Sequence, residues 1–77
     1  MNNSEQTAPT GHIIGATYRS KYWGGTYRVV GAAETAFGRG VEVECIEAGA
    51  GAHNTPGERW THCTRLDTGR RADTRIA

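Results

Sequence analysis

The sequence predicts an all-β domain, a small antiparallel barrel of four to five strands spanning residues 11–77 behind a flexible N-terminal tail over 1–10. Three observations carry that prediction. No segment repeats apolar residues at a 3.6-residue period over ten positions, so no amphipathic helix is expected. Residues 41–46 read Val-Glu-Val-Glu-Cys-Ile, the period-2 pattern of a strand with one face buried. Short β-branched or aromatic runs recur at roughly 10–15-residue spacing, separated by glycine-rich links, which is how small β-barrels are punctuated. At 77 residues there is room for one domain.

Taken in order, residues 1–10 are polar, unpatterned and interrupted by Pro9, which suits a solvated tail. His12 to Arg19 is short and partly β-branched after Gly11, and reads as the first strand. Ser20 to Gly25 is a tight element containing Trp23 and the Gly24-Gly25 pair. Thr26 to Ala32 is a strand by composition. From Ala32 to Phe37 at most one helical turn is expected. Val41 to Ile46 is the third strand, with Val41, Val43 and Cys45 inward and Glu42 and Glu44 in water. A fourth strand is expected from Glu58 to Leu66, with Trp60, His62, Thr64 and Leu66 on one face. Arg75 to Ala77 is read as a short fifth strand covering an edge, with a charged tail over 67–77 as the alternative.

The core has few aliphatic side chains. Of the 36% apolar residues ten are alanine, and Val, Ile, Leu and Phe together also number ten. Low net charge argues against disorder, since the formal value is +1. The large rings, Tyr18, Tyr22, Trp23, Tyr27, Phe37 and Trp60, are therefore expected to fill most of the interior. A single core of this size supplies roughly 3–5 kcal/mol, so a marginal fold reinforced by self-association or a partner is expected.

The run Gly15-Ala-Thr-Tyr18-Arg-Ser-Lys-Tyr22-Trp23-Gly24-Gly25-Thr-Tyr27-Arg-Val-Val30 resembles the opening of SH3-like small barrels, in which two strands flank an aromatic-bearing loop and a glycine turn. The stretch Trp60-Thr-His62-Cys-Thr64-Arg-Leu-Asp67 is similar to the ends of short, mostly uncharacterised proteins of high-GC actinobacteria and their phages. The resemblance covers residues 11–77 and implies a binding surface, plausibly in a phage or mobile-element setting, with no catalytic residues to carry over. An OB-like barrel is the competing fold. Eight arginines against the single Lys21 fit coding in a GC-rich genome and say nothing about activity.

Aromatic and basic residues interleave at Tyr18, Arg19, Lys21, Tyr22, Trp23, Tyr27 and Arg28, a pattern able to stack on bases and meet phosphates. Charge is divided along the chain. Residues 10–40 carry a net +3, residues 41–58 a net −4 and residues 59–77 a net +3, the last including Arg70 and Arg71. Were the two positive segments to lie together, a basic patch would face an acidic one. Against this, dedicated DNA binders of this size carry a larger positive excess. In a chain so poor in leucine most rings belong in the core, leaving Tyr22 or Trp23 as an exposed contact. Glu42, Glu44 and Glu47 suit a basic partner or simple solubility.

Metal and catalytic chemistry find little support. Cys45, His53, His62 and Cys63 are potential zinc ligands, yet His62 and Cys63 are strand neighbours and leave opposite faces. No Cys-x-x-Cys knuckle occurs, and the glycine links do not match a phosphate-binding loop. Two free thiols are expected over a Cys45–Cys63 disulfide in a reducing cytosol. Cysteine–histidine pairs arise in any chain with two Cys and three His, so they carry no catalytic signal. No apolar run approaches the ~20 residues of a membrane span, and the N-terminus has no basic and apolar leader pattern. The expectation is a cytoplasmic, non-enzymatic binding or accessory protein without cofactor or metal. It would act on a protein partner or by self-association, with no small-molecule substrate. The binding residues would be Arg19, Lys21, Tyr22, Trp23, Arg28, Arg70 and Arg71, and nucleic-acid binding through the aromatic–basic face is the alternative.

Overall fold

The structure, a computed structural model, describes residues 6–20, 24–49, 55–63 and 73–77. Within these residues the chain forms one antiparallel sheet and no helix. Its strands are β1 (Thr17–Arg19), β2 (Thr26–Thr35), β3 (Gly38–Glu47), β4 (Arg59–His62) and β5 (Thr74–Arg75), in the spatial order β4-β3-β2-β1-β5. The first four follow one another as a meander, and β5 returns to pair with β1.

The all-β antiparallel expectation is met, and closure is not. Strands β4 and β5 stand at opposite edges, and among the described residues no ladder joins them. The pairing of β2 with β3 shifts register twice: Ile46 of β3 is the extra residue opposite Thr26 and Tyr27, and Val30 of β2 is the extra residue between Val29 and Gly31. An extra residue in one strand bends it and increases its twist.

Alternation along β3 reads as the sequence indicates. Val41, Val43 and Cys45 are buried, whereas Glu42 and Glu44 lie on the outer face. Register then aligns Tyr18–Tyr27–Cys45, Val29–Val43–Trp60 and Val41–His62 on the inner face, with Ala32 opposite Val41 at the exposed end of the last row. The side chains of Val29, Val41 and Val43 are wholly buried. Each contributes roughly 1.5–3 kcal/mol of apolar transfer free energy.

Two boundaries differ from the sequence reading. Within the expected tail Ala8 and Thr10 are buried. The reason is a small hairpin: Gly11 N donates to Ala8 O at 2.9 Å, Ala8 N to His12 O at 2.7 Å and Ile14 N to Gln6 O at 2.9 Å. Pro9, with its fixed φ, stands inside that turn. The second difference is the end of β2, which runs on to Thr35, past the expected Ala32; no helical turn forms there, within the expectation of at most one. Thr35 closes the β2–β3 hairpin: its hydroxyl accepts from Phe37 N at 3.1 Å and donates to Gly38 O at 2.7 Å. Gly38 follows at φ +119°, a backbone region that disfavours any side chain.

The fifth strand exists, shifted one residue earlier than expected. Beyond its ladder with β1, Thr17 N donates to Ala77 O at 3.0 Å and Ile76 N to Thr17 O at 2.8 Å. Removing residues 73–77 uncovers the β1 edge and should lower the thermal midpoint by more than about 5 °C, the equivalent of about 1 kcal/mol in a domain of this size. An unchanged midpoint, followed by circular dichroism, would mean that β5 contributes nothing to stability.

Candidate functional site

The chemistry-bearing residues brought together by the fold are not those that the sequence singles out. Beneath the sheet Thr10, His12, Tyr18, Tyr27 and His62 gather with Asp73. His12 is 1% exposed. Its Nδ1 lies 2.6 Å from Thr10 Oγ1 and its Nε2 2.9 Å from Tyr27 Oη, while the Tyr27 hydroxyl donates to the Asp73 carboxylate.

These contacts allow one proton arrangement. An ionised carboxylate only accepts, so Tyr27 must donate to Asp73 and can take a hydrogen bond only from His12 Nε2–H. Nδ1 is then bare and accepts from the Thr10 hydroxyl, which in turn accepts from His12 N at 3.4 Å. His12 is therefore neutral and carries its proton on Nε2. Burial, with the neighbouring His62, lowers its pKa to about 4 against the opposing pull of Asp73. Burial and the bond to Asp73 raise the Tyr27 phenol far above its ordinary range. His62 is shifted down, also chiefly by burial.

The rings pack as well as bond. His12 meets Tyr18 edge-on at 5.0 Å and His62 at 5.5 Å, and Tyr18 stacks on Tyr27 at 5.8 Å. The Tyr18 hydroxyl accepts from Ile13 N at 2.9 Å. This network ties the N-terminal hairpin, β1, β2, β4 and the segment entering β5 into one body. With His12 closed off from solvent, both of its ring nitrogens are taken up by Thr10 and Tyr27 inside the network. Cys45 is buried beside it, and burial pushes its thiol upward in pKa.

On the outer face, the expected division into basic and acidic faces does not form among the described residues. Strand β3, which carries the glutamates, sits between β2 and β4, which carry arginines. Arg28 Nη2 donates to Glu44 Oε1 at 2.9 Å, and Arg59 approaches the same carboxylate at 3.7 Å. The bond from Arg28 first, then the charge of Arg59, hold Glu44 below the usual carboxylate range. Of the predicted binding residues, Arg19 is exposed on β1 and Arg28 is committed to Glu44. Lys21, Tyr22, Trp23, Arg70 and Arg71 lie outside the described residues, as do His53, Thr64 and Leu66. On either side of residues 21–23, Gly24 N donates to Ser20 O at 2.9 Å and Ser20 N to Gly25 O at 2.8 Å.

Phe37, expected in the core, is instead 89% exposed at the tip of the β2–β3 hairpin. Turn residues at the end of a hairpin that outruns its neighbours have no interior to enter. Beside the tip, Pro9, Ala32, Ala33, Glu34, Arg39 and Gly40 line an open cleft of about 300 Å³. Among the described residues no three His, Cys, Asp or Glu side chains converge for a metal ion, and no helix is long and apolar enough to cross a membrane.

Comparison with protein-family models, curated proteins and solved structures returns no match. The sequence signal for His12 was confined to the turn before it. Its partners Tyr27 and Asp73 lie far along the chain, and no local motif joins them.

Proposed function

We propose that the chain is a small, non-enzymatic, cytoplasmic binding module that works by contact with protein. The observation that carries this reading is Phe37. A phenyl ring left 89% exposed by a Thr35-locked turn gains no burial from folding, so contact with a partner would supply a gain that the fold does not. Tyr22 and Trp23 extend the same reading from the sequence. Two features weigh against nucleic acid as the target: the pairing of Arg28 with Glu44, and a formal charge of only +1.

The discriminating experiment is a tryptophan-fluorescence titration with short single- and double-stranded DNA and RNA at about 50 and 200 mM salt. No saturable quenching is expected at either salt. Saturable quenching that collapses at the higher salt would replace this reading with phosphate-driven nucleic-acid binding.

A further inference from the structure

We propose that the β2–β3 arm is a self-complementary docking surface and that its occupant is the same arm of a second copy of this chain. The inference rests on the protein-contact reading above and names the partner. From Ala33 to Gly40 the two strands have only each other as ladder partners among the described residues, because β1 pairs with residues 26–28 and β4 with residues 41–44. A lone two-stranded ribbon is marginal in water and gains from being covered.

The arm carries both halves of a contact that it cannot make with itself. Phe37 is an exposed apolar knob at the tip. The neighbouring cleft, with Pro9, Ala32 and Ala33 as its apolar lining, is open and of a size to take a phenyl ring. Glu34 and Arg39 stand on the same arm at 78% side-chain exposure each and pair loosely at 3.6 Å. Their opposite signs give the arm charge complementarity toward a copy of itself. Two arms antiparallel about a two-fold axis set each Phe37 over the other's cleft and each Glu34 beside the other's Arg39, the isologous arrangement of a C2 dimer. The arm is electrically neutral, so the two copies do not repel. The area of such a contact falls in the class of weak complexes, below about 1,200 Å² in total. Association should therefore depend visibly on concentration.

Sedimentation velocity of the whole chain from about 10 µM to about 1 mM tests the proposal, since a weak dimer with a Kd inside that range shifts across it. The wild type should move from monomer toward twice 8.3 kDa. Phe37→Ser should weaken association at least tenfold, as expected for an aromatic anchor, with no change in thermal midpoint because the ring is exposed. Arg39→Glu should weaken it as well, and the double variant Glu34→Arg/Arg39→Glu should restore it, because the swap re-creates complementarity between copies. A wild type that stays monomeric throughout overturns the proposal. A dimer indifferent to Phe37→Ser also overturns it, while leaving the protein-contact reading in place through another surface. Assembly that appears only with added nucleic acid and dissolves in salt sinks both.

Discussion

Gly40→Ala should leave the domain unfolded or without fixed tertiary packing at 25 °C. Strand β3 passes so close to the end of β4 that a Cβ on Gly40 would strike the His62 carbonyl oxygen, lying 2.8 Å from its carbon and 2.9 Å from Cys63 Cα. These are backbone atoms, so no rotamer change relieves the clash. Either β4 moves away, taking Trp60 off Val43 and His62 off Val41, or β3 bends and opens the valine core. Overpacking costs about 1–3 kcal/mol and occasionally more. That is comparable to the roughly 3–5 kcal/mol that one core of this size supplies. Gly31→Ala is the control: it has nothing within 4 Å of the new methyl and an ordinary φ, and should shift stability by less than about 0.5 kcal/mol. A cooperative melt for Gly40→Ala close to that of wild type would contradict the close approach of β3 and β4.

Acidification should have the other large effect, in a window set by His12. Its pKa is about 4 in the folded chain against the ordinary 6.5 of an imidazole. Between these values the unfolded state binds more protons, so stability rises with pH there. The contribution is fully present above about 6.5 and is lost as pH falls toward about 4, amounting to about 3 kcal/mol. Among the described residues, the titratable groups facing His12 are His62, Tyr18, Tyr27 and Asp73. His62, also shifted down, loses stability in the same direction, while the negative charge of Asp73 moderates both. Glu44, shifted down by Arg28, adds a further loss at lower pH as its carboxylate is protonated. Tyr27→Phe should cost about 1–3 kcal/mol at pH 7 by leaving His12 Nε2–H buried without its acceptor. Urea midpoints from pH 8 to pH 4 check both expectations. A flat profile across that range would mean that His12 is not held neutral by the fold.

What the sequence makes legible follows from local pattern. The alternation of β3 identifies its inner valines and Cys45 because a period of two is set by neighbouring residues. Tyr27 is recognisable as inward for the same reason, since it alternates with Arg28. The site is poorly legible because its parts are distant and its chemistry is generic. His12, Tyr27, His62 and Asp73 are ordinary residues at unremarkable positions, joined only when β5 returns to β1 and β4 folds over β3. Phe37 is misread because composition assigns large rings to the core, whereas a hairpin that outruns the sheet presents its tip to water. Among the described residues the division of charge along the chain does not become two faces, because the meander places β3 between β2 and β4 and Glu44 meets both Arg28 and Arg59.

The central claim is that a neutral His12, bonded through Tyr27 to Asp73, holds a core that aliphatic side chains alone do not fill. Long-range nitrogen–proton NMR of the imidazole rings tests it most directly. At pH 7 His12 should show the proton on Nε2 with Nδ1 bare, and on acidification the ring should titrate near pH 4. A proton on Nδ1, or a midpoint at the ordinary 6.5, would contradict the network and the account built on it.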